Sequence, residues 1–342
     1  MSLWILDKGA VAPLVNALRA DYRVIGPQAK GPKFVFDPIE DPAQLRLDYN
    51  TTILPPKKVL QPPEERLATF SMGSEPRVAP VVEAEPTVLL GVHTCDLHAI
   101  QLLDKVFSTD YPDAHYLERR QQTIIFSIEC LEPCDEHSFC KSMGTLTAGE
   151  GYDVHLTDLG LAYAADVATE AGKALLTRYG TVREATDADV RRLNEVMGAK
   201  WPRFTYRLNF DAAELPALLS MAYDHPLWDE LGERCYACGA CTIVCPTCYC
   251  FNVFDETNMA LTEGERWRRW DSCQLDEFAR VAGGENFRAA RAARQRHRFM
   301  RKGKYIYEKI GELGCVGCGR CIRACIPKIN IVDGFNTIHG GG

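Results

Sequence analysis

The sequence predicts an α/β N-terminal domain with a parallel or mixed sheet, followed by a mainly α-helical, cysteine-rich domain. Three observations predict it. Over about the first 210 residues, short apolar runs alternate with segments of helical periodicity, the pattern of a sheet covered by helices. Eleven of the 15 cysteines fall between Cys235 and Cys325, where helical stretches replace the strand signals. The length of 342 residues allows two domains of ordinary size. Composition changes between Pro202 and Ala213, which sets the expected domains at residues 1–208 and 209–342.

Taken in order, Ala10 to Ala20 has the spacing of a short amphipathic helix, with Pro13 tolerable in its first turn. Phe34 to Pro56 reads as irregular or extended, and Pro55-Pro56-Lys57-Lys58 as a stiff, non-helical stretch. The continuous apolar run Thr87 to Val92 reads as a buried strand, and Leu97 to Phe107 as the helix after it. Thr123 to Ile128 is a second buried strand and Val154 to Leu159 a third. Val167 to Tyr179 and Asp187 to Met197 read as helices, the second capped by Thr186. Asp211 to Leu231 reads as a helix interrupted near Pro226.

The formal charge of −7 argues against a nucleic-acid binder driven by net charge. No apolar run approaches the ~18–20 residues that cross a bilayer. Met1 to Gly9 has no basic segment followed by a long apolar one, so no secretory leader is expected there. The expected setting is the cytoplasm, where thiols stay reduced and clustered cysteines hold metals or carry redox chemistry.

Two cysteine runs share one spacing. Cys235-Tyr-Ala-Cys238-Gly-Ala-Cys241-Thr-Ile-Val-Cys245-Pro246 and Cys315-Val-Gly-Cys318-Gly-Arg-Cys321-Ile-Arg-Ala-Cys325 both read C-x2-C-x2-C-x3-C. In that arrangement three thiolates of a tight loop hold three corners of a cubane, and the fourth cysteine ligates the other cluster. The expected ligand sets are therefore crossed. One [4Fe-4S] cluster takes Cys235, Cys238, Cys241 and Cys325; the other takes Cys315, Cys318, Cys321 and Cys245. Zinc sites of four thiolates usually pair C-x2-C with a distant second C-x2-C, and so fit these runs less well. The 69 residues between the runs are mostly helical in pattern, as in an α-helical ferredoxin domain that holds two clusters.

Cys95 and Cys130 each follow the carboxyl end of an expected strand, where ligands of an open parallel sheet gather. Cys134 and Cys140 lie in the loop after Cys130. Four thiols on one edge can hold a third [4Fe-4S] cluster. The same four could also take zinc, or pack as small hydrophobes with no metal. His93, His98 and His137 are substitute ligands or polar neighbours for that site. Cys248, Cys250 and Cys273 remain; three thiols lack a fourth partner, and packing around a cluster is the simplest role for them.

Arg288, Arg291, Arg294, Arg298 and Arg301 recur at three- and four-residue intervals, on one side of a helix. They form either a solvated face or electrostatic support for anionic clusters or an acidic partner, with Arg288, Arg291 and Arg294 as the leading candidates. No G-x-G-x-x-G follows a strand, and no Walker A, HExxH, C-x-x-C-H or G-x-S-x-G occurs. The chain thus offers electron carriers and no group for bond-making chemistry.

Several longer motifs are specific. They are Leu54-Pro-Pro-Lys-Lys58, Gly91-Val-His-Thr-Cys-Asp-Leu97, Phe139-Cys-Lys-Ser-Met-Gly144, Cys245-Pro-Thr-Cys-Tyr-Cys-Phe251, Trp270-Asp-Ser-Cys273 and Phe278-Ala-Arg-Val-Ala-Gly-Gly284. With them the chain resembles the β subunits of soluble [NiFe]-hydrogenases (sulfhydrogenases), a family that also includes the A subunit of anaerobic sulfite reductase. It departs from that pattern at His93-Thr94, where the family often has Arg-Pro, and at Ser138, where it often has Cys. The resemblance implies a relay subunit. Its partners would be a flavin subunit that meets NAD(P)H, or a ferredoxin-linked module, and a catalytic subunit with a metal centre. The rival reading is a self-contained reductase whose N-terminal cysteine site, Cys95, Cys130, Cys134 and Cys140, binds substrate.

Overall fold

Thr87–His93 is buried along its whole length and lies inside a large sheet. The computed structural model describes residues 2–341. Ten strands precede residue 200: β1 (Ser2–Asp7), β2 (Arg23–Lys30), β3 (Lys33–Pro38), β4 (Glu64–Ser71), β5 (Arg77–Pro80), β6 (Thr87–His93), β7 (Thr123–Ile128), β8 (Val154–Asp158), β9 (Ala162–Val167) and β10 (Val182–Glu184). Two more, β11 (Phe251–Thr257) and β12 (Glu263–Trp270), follow the first cysteine run.

The main sheet has eight strands in the order β10-β1-β9-β8-β7-β6-β2-β3. Its centre, β2-β6-β7-β8, is parallel, and the outer pairings are antiparallel. The sheet is therefore mixed, and helices cover both faces. Val88, Leu90, Phe126 and Ile128 pack with Leu14, Val15, Leu18, Leu175 and Leu176, from helices Val11–Leu18 and Glu170–Tyr179. The alternate residues Leu89 and Ile125 pack on Leu97, Ile100, Leu103 and Phe107 of helix Thr94–Ser108. The period of two sends each strand residue to one layer or the other, and burial on both faces makes the runs continuously apolar.

A second sheet, β11-β12-β4-β5, is antiparallel. It takes two strands from each side of the expected boundary at residue 208, so hydrogen bonds tie the two parts of the chain together. Ionic contacts reinforce the join: Glu65 of β4 meets both Arg119 and Arg268, and Arg268 also meets Asp113, all four in buried or half-buried positions.

The last third of the chain is otherwise helical. Leu215–Met221, Leu227–Arg234, Arg291–Met300 and Ile331–His339 enclose a core of Leu219, Trp228, Leu231, Phe299, Val332 and Phe335. The residues between the two cysteine runs, expected to be mostly helical, open with the β11–β12 hairpin. Its strands alternate weakly because the hairpin is largely exposed, so no apolar period marks it. Lys57–Leu60, expected to be non-helical, is one helical turn; Pro55 and Pro56 precede it, where their fixed φ suits a helix start. The helix expected from Val167 begins at Glu170, because Val167 ends β9.

Candidate metal centre

The two cysteine runs fold alike. Each turns through two left-handed residues, Ala237 and Gly239 (φ 54° and 76°) or Gly317 and Gly319 (φ 68° and 71°). Each then enters a one-turn helix, Ala240–Ile243 or Arg320–Arg323. This turn frees backbone N–H groups to face sulfur. Ala237 N–H donates to Cys235 Sγ at 3.3 Å, and Ile329 N–H donates to Cys325 Sγ at 3.2 Å. Such donors stabilise thiolate and raise the potential of a bound cluster.

The short helices carry the fourth cysteine across. Cys325 comes beside Cys241, and Cys245 comes beside Cys315, Cys318 and Cys321. Between the loops lies a cavity lined by Cys241, Cys245, Cys315, Cys318 and Cys321. Burial pushes the Cys241 and Cys318 thiols up to about 11. These sulfurs therefore ionise only with a cation or metal at hand.

Two cations stand beside them without carboxylate partners among the described residues. Arg298 and Lys302 are 3% and 6% exposed. Lys302 Nζ donates to Thr247 Oγ1 at 2.6 Å, and Arg298 Nη1 reaches Gln295 Oε1 at 3.4 Å. Arg298 Nη2 has no partner among the described residues. Burial works against both charges. The thiols of Cys241, Cys321 and Cys325 around Arg298, and of Cys245, Cys248 and Cys315 around Lys302, outweigh it and hold both groups protonated. A buried cation left uncompensated costs several kcal/mol, so the site is built for a resident negative charge. Among the described residues no three His, Cys, Asp or Glu side chains converge tightly enough to hold a single metal ion. A cubane spreads its thiolates wider than zinc does, and the residues present fit it.

Of the arginines at that spacing, Arg298 is the one set among the thiols of the two runs, and the others make other contacts. Arg291 Nη1 donates to the Cys235 carbonyl at 2.9 Å, and Arg294 pairs with Asp276 at 2.7 Å. Arg288 is held by its backbone N–H on Asn286, and Arg301 meets the Tyr249 hydroxyl. Arg298 and Lys302, rather than Arg288 or Arg294, line the cavity between the two cysteine loops. The inward face of helix Arg291–Met300 and its continuation runs through Gln295, Arg298 and Lys302, and shares only Arg298 with the arginine stripe. Gln295 Nε2 reaches Cys235 Sγ at 2.9 Å.

The N-terminal thiols also meet. Cys95 opens helix Thr94–Ser108 directly after β6, and Cys130 follows the parallel neighbour β7. A bulge at Gly91 (φ 72°) shifts the register between Leu90 and Val92 and aims the end of β6. Cys95, Cys130 and Cys140 share one buried cluster with Val316, and Cys318 packs against it. Cys134 neighbours the other three. Thr94 Oγ1 donates to Cys130 Sγ at 3.7 Å, and His93 Nδ1 lies 3.9 Å from Cys134 Sγ. Burial pushes Cys95 and Cys130 well up, Cys134 to about 11 and Cys140 to about 12. His93 stacks on Tyr49, and burial holds it neutral with a pKa lowered to about 4. His98 bonds the Thr147 carbonyl and His137 faces Glu136, so neither joins the thiols.

The second cysteine loop presses directly on this site. Phe139 N–H donates to the Gly317 carbonyl at 2.8 Å, and Thr145 Oγ1 donates to the Val316 carbonyl at 2.6 Å. A Cβ on Gly317 would lie 2.6 Å from Cys140 Cα, and one on Gly319 would lie 2.5 Å from the His137 carbonyl oxygen. Arg320 forms a bidentate, buried pair with Asp96 at 2.6 and 2.7 Å. Nothing periodic marks Lys302, Arg320 or Gln295 in the sequence. Arg320 lies inside the second run, and only the fold shows that it faces the residue after Cys95.

Of the three remaining cysteines, Cys248 lies against Cys245, and its carbonyl accepts from the buried Lys57. Cys250 and Cys273 lie against each other. The family model of the 4Fe-4S dicluster domain matches residues 234–329. Sulfhydrogenase 2 subunit beta of Pyrococcus furiosus is 36% identical over 327 residues, which cover 95% of each chain. No solved structure matches the chain. The chain therefore carries a [4Fe-4S]-binding domain and belongs to the family of sulfhydrogenase β subunits.

Proposed function

We propose that the chain relays electrons between a donor subunit and a catalytic subunit of an oxidoreductase complex, through two [4Fe-4S] clusters of the dicluster domain and a third held by Cys95, Cys130, Cys134 and Cys140. The single observation that supports it most is a continuous line of thiols running inward from the surface. Cys238 is exposed, Cys241 and Cys325 lie next, Cys321 and Cys245 follow, and Cys318 touches the buried group of Cys95 and Cys140.

When bound, the clusters supply one-electron carriers. The residues around them set the conditions. Cys235, Cys238, Cys241 and Cys325 would hold the outer cluster, and Cys315, Cys318, Cys321 and Cys245 the inner one. Arg298 and Lys302 neutralise added negative charge there, and Phe139, Val316 and Ile331 keep water out. The burial of Cys95, Cys130 and Cys140 suits an electron carrier more than a substrate site, and so favours the relay over a self-contained reductase. The partners expected are a flavin- and NAD(P)H-binding subunit, or a ferredoxin-linked module, and a metal-containing catalytic subunit, in the cytoplasm. No helix among the described residues is long and apolar enough to cross a membrane.

The test is Cys318→Ala in the native complex. The relay predicts loss of one EPR signal and of donor-driven turnover at the catalytic subunit. Turnover that survives the loss of that signal contradicts it.

A further inference from the structure

Cys250 and Cys273 have no part in the relay, yet the fold brings them together. Cys250 immediately precedes β11 and Cys273 lies three residues beyond β12. The hairpin ladder continues past its last strand pair, with Asp271 N–H donating to the Cys250 carbonyl at 2.9 Å. The two side chains then line one and the same cavity. That cavity is also lined by Cys248, Tyr249, His297, Arg301 and Lys302. Cys250 is partly exposed, whereas Cys273 is 5% exposed. Gln274 Nε2 approaches Cys273 Sγ at 3.5 Å.

We propose that Cys250 and Cys273 form a redox-active dithiol that closes reversibly into an intramolecular disulfide by exchange with small disulfides. The two sulfurs are unequal in the way such a pair requires. Cys273 beside it, and the positive charges of Arg301 and Lys302, work against burial and favour the thiolate of Cys250. Cys250 beside it, and burial, push Cys273 far up. The more accessible Cys250 is the attacking thiolate and the buried Cys273 the resolving thiol.

The step balances as follows. Cys250 thiolate attacks one sulfur of a small disulfide, forms a mixed disulfide and releases one thiolate. Cys273 loses its proton, attacks the Cys250 sulfur and releases the second thiolate. The protein loses two electrons and the one proton of Cys273, and the small disulfide becomes one thiol and one thiolate, the latter taking its proton from water. Dithiothreitol reverses the step.

The experiment treats the anaerobically purified, cluster-loaded full chain with dithiodipyridine and reads released thiopyridone, linked peptides and iron content. The expected result is a Cys250–Cys273 linked peptide at unchanged iron content, opened by dithiothreitol. Cys273→Ser should instead trap a stable mixed disulfide on Cys250 and release one equivalent fewer of thiopyridone. Mixed disulfides that persist on both cysteines of the native chain overturn the proposal. So does loss of iron on Cys250→Ser or Cys273→Ser, because it would make these thiols metal ligands. Low iron in the untreated chain counts against the relay and leaves the peptide readout to decide this pair.

Discussion

The loops Cys235–Cys245 and Cys315–Cys325 share a spacing and a backbone, and differ in what covers them. The first faces outward: Cys238 is exposed, and Tyr236 in the same loop is 64% exposed. The second is wedged under the N-terminal sheet, with Gly317 against Cys140, Gly319 against His137 and Arg320 locked onto Asp96. One motif therefore serves two tasks. Spacing decides that a loop can hold iron, while surroundings decide whether the site meets a partner or passes electrons inward. The first loop has the partly exposed Ala237 at the left-handed position where the second has Gly317.

The sharpest way to break this contrast is to unlock the covered loop. Asp96→Ala leaves Arg320 buried without its carboxylate, at a cost of roughly 3–5 kcal/mol. Chemical denaturation should show a loss in that range, and a loss under about 1 kcal/mol would mean that the clamp is not structural. Gly317→Ala comes next. It combines a left-handed backbone with a Cβ lying 2.6 Å from Cys140 Cα, which together cost about 2–5 kcal/mol. Iron bound by the purified protein should fall with it. The matching change in the exposed loop, Ala237→Gly, should be neutral or stabilising by up to ~1 kcal/mol, with iron content unchanged.

The electrostatic half of the contrast is tested by Lys302→Met, which keeps the bulk and removes the charge. Stability should change by less than about 1.5 kcal/mol. The midpoint potential of the inner cluster should fall, since an anionic centre loses a neighbouring cation. A redox titration that finds the potential unchanged or raised contradicts the role assigned to Lys302.

Much of this was legible in the residues. The runs Thr87–Val92 and Thr123–Ile128 announced buried parallel strands, and the cysteine spacing announced the dicluster domain. Placing Cys95 and Cys130 after those strands put them on one edge, where the fold has them. Strands without an apolar period were not legible: β4, β5, β11 and β12 form a largely exposed sheet. Its pairing joins residues about 200 apart in sequence, and no local signal encodes that. The cations were half legible. The helix around Arg291–Met300 was visible as a basic stripe, but the face turned to sulfur is set by packing against Trp228 and Phe335. Periodicity alone therefore named Arg298 among five arginines and could not single it out over Arg294.

The central claim is a line of three neighbouring centres running from the exposed loop to the N-terminal thiols. Low-temperature EPR of the fully reduced, anaerobically purified protein tests it most directly. The account predicts a spectrum broadened by spin coupling between adjacent clusters, and in Cys130→Ala the coupling between the inner cluster and the N-terminal site should vanish. A spectrum that is the simple sum of isolated signals, unchanged by Cys130→Ala, would contradict it.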